Sequence, residues 1–403
     1  MKAASLAAVL AVALAAPAHA DPALEHAKKL LDEAILFDGH NDLPWAIREH
    51  KVAAGDLEKY DLSTRAPEKG QTDIPRLREG RLSAQFWSVY TPPEAAGNFA
   101  RTQLEQIDLA RRLIAKYPDT FVLCGTAAEI RAAKRAGKIG GMLGIEGGHA
   151  IEDSLGALRA YYDLGVRYMT LTHNRHTNWA DSALEDPPRF NGLNELGEQV
   201  VAEMNRIGML VDLSHTSPDT MRDALRVSKA PVIFSHAAAR GKTEIPRNVP
   251  DDVLDLLGKN GGVVMVTFVA GFISQDAADV LLPFIQEYLA KASGKSDEER
   301  RAIYAELKAK LVMPKVPVGN VADHVEYIRD RIGVDHLGIG GDYDGNENWP
   351  EGMEDVSGYP LLFAELVRRG WNDADLHKLA GENVLRVLAQ AEAVAQRLQQ
   401  ESP

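Results

Sequence analysis

A histidine and an aspartate two residues apart, His40 and Asp42, end the stretch Phe37-Asp38-Gly39-His40-Asn41-Asp42, which follows a short apolar run from Ala34 to Phe37. Residues i and i+2 of an extended strand share a face, so the two side chains would project together from a strand end and suit a hard or borderline cation. One such pair is weak by itself, but the pattern recurs. Glu146 ends Gly140-Gly141-Met142-Leu143-Gly144-Ile145 and precedes Gly147-Gly148, where backbone can turn sharply. His173 follows Leu171-Thr172, His215 follows Met209 to Ser214, and His236 follows Pro231 to Ser235. Asp342 opens Asp342-Tyr343-Asp344-Gly345 after another apolar run.

The elements that must position these groups are eight apolar, β-rich runs at about 34–39, 84–90, 138–145, 167–172, 209–214, 231–235, 261–268 and 336–341. Helical patterns separate them, among them Thr102 to Lys116, Leu155 to Leu164, Asn194 to Ile207 and Pro218 to Ser228. Alternation of this kind predicts an α/β fold, a (β/α)8 TIM barrel, in which all strand C-termini open on one side. Six of the eight strands end in His, Asp or Glu, and a shared site explains them together better than six separate structural roles. The histidines at 26, 50, 149, 176, 324, 336 and 377 lack this placement and read as surface or packing residues.

Two stretches interrupt the alternation. Residues 176–193, with Pro187, Pro188 and Gly192, read as a long polar loop after the fourth strand. Residues 274–318 read as a charged helical insertion between strands seven and eight, with Ser296-Asp297-Glu298-Glu299 as a capping box. A solvated elaboration is the favoured reading of it, a lid or oligomer contact the alternative. The last helix, about Ala374 to Gln400, is expected to pack outside the barrel.

Three histidines and two or three carboxylates exceed the needs of one catalytic zinc, which takes three protein ligands and a water. Two Zn2+ ions sharing one carboxylate fit better, with His40 and Asp42 on one, His215 and His236 on the other, and Glu146 as the bridge. His173 and Asp342 are then left for chemistry. A hydroxide bridging the metals would attack a carbonyl, Asp342 would move the proton to the leaving group, and His173 would donate to the oxyanion. This is the logic of amide or ester hydrolysis, and spacing does not choose between those bonds.

Composition narrows the partners. The formal charge is −13 with no basic block, which argues against nucleic acid or an anionic membrane. Cys124 is the only cysteine, which excludes an intrachain disulfide framework and a thiolate zinc site. Residues 1–20, with Lys2, an Ala/Leu/Val run and Ala18-His19-Ala20, read as a signal peptide cut after Ala20, so that residues 21–403 form one exported domain, periplasmic or secreted. No cysteine follows the cut and no apolar tail closes the chain, so no lipid anchor is expected.

Nearly the whole mature sequence resembles the membrane (renal-type) dipeptidases, peptidase family M19, among the amidohydrolase-like metal barrels. The matching stretches are Asp38-Gly39-His40-Asn41-Asp42, Ala84-Gln85-Phe86-Trp87-Ser88-Val89-Tyr90, Gly144-Ile145-Glu146-Gly147-Gly148-His149, Leu171-Thr172-His173, Asp212-Leu213-Ser214-His215, Phe234-Ser235-His236, Arg247-Asn248-Val249-Pro250 and Gly341-Asp342-Tyr343-Asp344-Gly345. The resemblance implies a binuclear zinc dipeptidase with His40, Asp42, Glu146, His215 and His236 as ligands. It implies that His173 contacts the substrate, that Arg247 receives its C-terminal carboxylate, that Asp342 manages the proton, and that the chain pairs as a homodimer. Substrates would be dipeptides beginning with an L-residue, some ending in a D-residue. Where animal members carry a pocket tyrosine, the matching stretch offers Phe272, and the insertion at 274–318 is longer than theirs. The alternatives are a metal-barrel hydrolase of a lactone, cyclic amide or phosphoester, and a barrel that binds without turnover.

Overall fold

The computed structural model describes residues 21–94 and 97–401, so the expected signal peptide at 1–20 lies outside the described residues. Among the described residues nine strands form, β1 Leu36–Asn41, β2 Leu82–Ser88, β3 Phe121–Leu123, β4 Ile139–Glu146, β5 Val166–Thr170, β6 Leu210–Asp212, β7 Ile233–Ala237, β8 Val263–Val266 and β9 Leu337–Ile339. Eight of them close a ring in the order β1, β2, β4, β5, β6, β7, β8, β9, with every pair parallel and β2 joined to β4. All eight predicted runs are in this ring, which is the expected TIM barrel. The ninth strand, β3, was not expected; three residues long, it pairs with the start of β4 and stands outside the ring.

Helices between the strands begin where short polar side chains satisfy free N–H groups. Ser154, Asn194 and Ser217 each accept a backbone N–H at the start of the helices Leu155–Asp163, Glu195–Ile207 and Pro218–Val227. These follow the expected spans to within a residue or two. Residues 176–193 form the expected loop, pinned by single β-bridges from Ala180 to Leu193 and from Ser182 to Thr216.

Two expectations change. The C-terminal stretch is a short helix Asp373–His377, a π-helical turn Lys378–Glu382 and a long helix Asn383–Glu401. That long helix packs outside the barrel, across the N-terminal opening of the ring. Asn383 donates to the Leu337 carbonyl at the start of β9, Arg386 to the Gly261 carbonyl before β8, and Gln399 to the Arg206 carbonyl before β6. Val384, Leu385 and Leu388 share one apolar cluster with the interior residues Phe37, Phe86 and Met142. The helix is a plug, which leaves the C-terminal mouth as the open end of the barrel.

The insertion consists of helices Gln275–Ala292 and Asp297–Lys308, the second opened by the capping box of Ser296 and Glu299. It lies over the mouth. Arg175, after β5, donates to the Leu289 carbonyl; Arg301 pairs with Glu49, after β1; Lys308 pairs with Glu347, after β9.

One buried group makes stability pH-dependent. His324 is 1 % exposed, accepts a hydrogen bond from the Ala239 N–H at 3.1 Å, and is pushed down to about 4 by burial. Its contribution is complete above the unfolded value of about 6.5, shrinks as pH falls toward 4, and totals about 3 kcal/mol. Thermal unfolding followed between about pH 7.5 and 5 is expected to show a shallower pH slope in His324→Gln than in the natural chain.

Candidate metal centre and substrate cavity

Glu146, the last residue of β4, is the hub of the mouth. Its Oε1 lies 3.0 Å from His215 Nε2, 3.4 Å from His236 Nε2, and 3.6 Å from both His40 Nε2 and His173 Nε2. One carboxylate oxygen offers about two lone pairs, so hydrogen bonds cannot account for four imidazoles converging on it. Bound cations can. Gly147, at φ 114°, turns the chain directly after the hub, in a region that side-chain-bearing residues rarely enter.

His40 reaches the hub because the pairing of β1 with β2 shifts register between Asp38 and Asn41, a bulge of the kind that re-aims a side chain. His40 Nε2 then sits 3.1 Å from Asp42 Oδ2, which realises the i, i+2 pair seen in the sequence. His215 and Asp342 both take φ 65°, a left-handed conformation that costs a residue with a side chain roughly 1–2 kcal/mol. Such strain belongs with side chains held for a task.

Three of the four histidines are fixed from behind. His40 Nδ1 meets the Tyr168 hydroxyl at 2.8 Å, His215 Nδ1 meets Asn174 Oδ1 at 3.1 Å, and His236 Nδ1 meets Ser235 Oγ at 2.9 Å. With Nδ1–H donated to an oxygen, the His215 and His236 rings turn the Nε2 lone pair inward, which is the tautomer a metal ligand needs. Burial lowers His40, but Tyr168, Asp42 and Glu146 outweigh it and hold His40 well above its ordinary range. Ser235 can accept because its own hydroxyl donates to Asp212 Oδ2 at 2.6 Å, and Asp212 is fully buried. The Tyr168 ring occupies space that Gly144 leaves open; a Cβ there would fall 2.0 Å from it. His173 differs, because its Nδ1 is buried with no partner.

The donor set fits a borderline divalent ion such as zinc, with imidazole nitrogens, carboxylate oxygens and no thiolate. Ligand atoms lie within 4.8 Å of one another in three groups: His40, Glu146 and His236; Glu146, His173 and His215; and His40, Asp42 and Asp342. His215 Nε2 and His236 Nε2 are 2.9 Å apart, near the spacing of about 3.3 Å for two nitrogens on one tetrahedral zinc. Asp42 Oδ1 is buried without a partner, as a ligand oxygen awaiting an ion would be. The five residues read as ligands all converge. His173 and Asp342, read as lying outside the set, come within ligand reach too, Asp342 Oδ1 being 4.0 Å from His40 Nε2.

The electrostatics agree with a cation site. Burial raises the Glu146 carboxyl, but His40, His173, His215 and His236 outweigh it and hold it well below its ordinary range. Burial, with Arg247 and His173 near one ring and His40 near the other, keeps His215 and His236 well below theirs, as neutral imidazoles. Asp342 is pushed well above the carboxylate range by burial and by Asp42 and Glu146.

Asp42, Glu146, His173, His215 and Asp342 floor a cavity of about 350 Å³. Arg247 is 1 % exposed, lines that cavity, and carries two guanidinium nitrogens, Nη1 and Nη2, with no hydrogen-bond partner. Its carbon Cζ lies 5.0 Å from the centre of the Phe272 ring. Burial lowers it only to about 10, so it stays charged at neutral pH. An unpaired buried guanidinium is a receptor for a carboxylate.

Sequence reading missed Tyr168, Asn174, Asp212 and Ser235, although each is a polar group in or beside an apolar strand. Asp212→Asn or Ser235→Ala is expected to weaken metal binding about 10- to 100-fold, read by competition with a chelator.

Comparison with known proteins identifies the family. The sequence profile of the membrane dipeptidases (peptidase family M19) matches residues 24–402. Dipeptidase 3 of Mus musculus is 41% identical over 389 residues, covering 95% of this chain and 70% of the mouse protein. The probable dipeptidase PvdM from Pseudomonas aeruginosa shares the fold, with TM-score 0.81 and 23% identity over 94% of this chain and all of that one. A metallopeptidase from Rhodobacter sphaeroides, solved with a phosphinate mimic of the dipeptide L-Ala-D-Ala, superposes with TM-score 0.73 at 25% identity, over 89% of this chain and 99% of that one. The chain belongs to the membrane dipeptidase family, peptidase family M19, and is a TIM-barrel metallopeptidase of that family.

Proposed function

We propose that this chain is a binuclear zinc dipeptidase that hydrolyses free dipeptides beginning with an L-residue, including ones that end in a D-residue. The observation that carries the reading is the unpaired guanidinium of Arg247 in the same cavity as the cluster around Glu146. Zinc ions held by His40, Asp42, Glu146, His215 and His236 would supply Lewis acidity toward a carbonyl and toward water.

The chain's own groups do the rest. Arg247 grips the substrate's C-terminal carboxylate and so sets the distance from chain end to scissile bond. His173, pushed down to about 4 by burial, is neutral at working pH and keeps an N–H to donate to the oxygen that gains charge. Its unanchored Nδ1 suits this role better than that of a fixed ligand. Asp342, which lines the cavity beside Glu146, takes the proton from the attacking water and returns it to the leaving amine as the C–N bond breaks. Four bonds change: a water O–H breaks, C–O forms, C–N breaks, and N–H forms.

The test is hydrolysis of a panel of L-L and L-D dipeptides by the purified, zinc-supplemented chain. Release of both amino acids supports the reading, and no turnover of any member contradicts it. Export with cleavage after Ala20 and pairing as a homodimer belong to the same proposal. They are read by N-terminal sequencing of the secreted protein and by sedimentation.

A further inference from the structure

We propose that the insertion is the specificity wall of this cavity and that it selects dipeptides whose C-terminal residue carries a bulky apolar side chain. The inference rests on the dipeptidase reading above and goes beyond it by naming the substrate class. Leu281, Phe284, Ile285 and Tyr288 of the first insertion helix and Tyr304 of the second line the same cavity as Glu146 and Arg247. These residues recur at i, i+3, i+4 and i+7, so one helix face is turned down onto the mouth.

Arg247 fixes which part of a substrate meets that face. A carboxylate held by its guanidinium places the substrate's last Cα one bond from the carboxylate carbon, so that residue's side chain must begin beside Arg247. The apolar surface there is Phe272, which packs with Val269 and Leu281 in one buried cluster, and Phe284 and Ile285 pack against that cluster. The polar groups around Glu146 are needed for the scissile bond. None of the five insertion residues lining the cavity is charged, so a charged side chain in that position would lose water without gaining a partner from the wall.

The wall has a fixed shape. Tyr304 stands edge-on to Phe284 at 5.6 Å and to Tyr288 at 5.9 Å between ring centres, which joins the two helices. Contacts to Arg175, Glu49 and Glu347 seat it over loops from three sides of the mouth.

The experiment is steady-state kinetics of the full zinc-loaded chain on L-Ala-X, with X as Gly, Ala, Leu, Phe and Asp, in L and D series. Leucine or phenylalanine at X is expected to exceed glycine in kcat/KM by about a hundredfold, with aspartate lowest. Phe284→Ala is expected to shrink the Leu-to-Gly ratio about tenfold, through KM more than kcat, and Phe284→Leu to retain most of it. Ile285→Ala reads the same ratio if Phe284→Ala does not fold. A flat series, a preference for aspartate, or a ratio unchanged in both alanine variants overturns the inference while the dipeptidase reading stands. A natural chain that hydrolyses no dipeptide overturns both.

Discussion

Glu146→Ala is expected to lower kcat/KM for dipeptides by at least about a thousandfold, beyond what loss of one preorganised charge-stabilising group usually costs. The reason lies in the hub geometry. Four imidazole nitrogens lie 3.0–3.6 Å from one Glu146 oxygen, all within a buried mouth. Without the carboxylate, those rings face one another with no anion between them, and the shared ligand of both proposed ions is gone. Bound zinc is expected to fall along with turnover. Glu146→Gln keeps the size but not the charge and is expected to behave as the alanine variant does, because a neutral amide cannot serve two cations. The check is activity measured beside zinc content in the same preparations.

Arg247→Ala is expected to raise KM for free dipeptides at least about thirtyfold, the lower end of what truncating one member of a buried charge pair costs. The guanidinium is already desolvated and has two nitrogens unpaired, so a substrate carboxylate completes it with no further burial cost to the guanidinium. A substrate amidated at its C-terminus separates this effect from general damage. It should be poor for the natural chain and change less than about threefold in the variant. Arg247→Lys should recover only part of the loss, because a point charge cannot make the paired bonds. A lactonase or esterase would be insensitive to Arg247 on neutral substrates.

The convergence of the strand-end residues was legible in the sequence because a parallel barrel converts position along a strand into position in space. Six of the eight strands end in a histidine or acid and all strand ends face one mouth, where His40, Asp42, Glu146, His215 and His236 meet. Arg247 followed from resemblance and not from spacing, since it lies beyond a strand end in a loop. The residues behind the ligands were hidden for a different reason. Ser235 and Asp212 sit in strands whose polar side chains look incidental until the partner strand is known, and Tyr168 needs the space left by Gly144 one strand away.

The insertion shows how composition can mask a pattern. Its exposed faces are rich in Lys, Arg and Glu and suggested a solvated elaboration, yet Leu281, Phe284, Ile285 and Tyr288 carry the i, i+3, i+4, i+7 spacing of a buried stripe. That stripe, weighed alone, points to a covered face, and the cavity is what it covers. The C-terminal helix carries an apolar face as well, but no local signal says whether such a face meets the outer wall or an open barrel end. Only the ring's closure decides that.

The measurement that tests the central claim most directly is zinc per chain by elemental analysis of the purified protein, run beside dipeptide turnover. About two zinc ions per chain in the natural protein are expected, with fewer in Glu146→Ala and turnover following the metal. One zinc or none, with no dipeptide turnover after zinc is added back, would contradict the account.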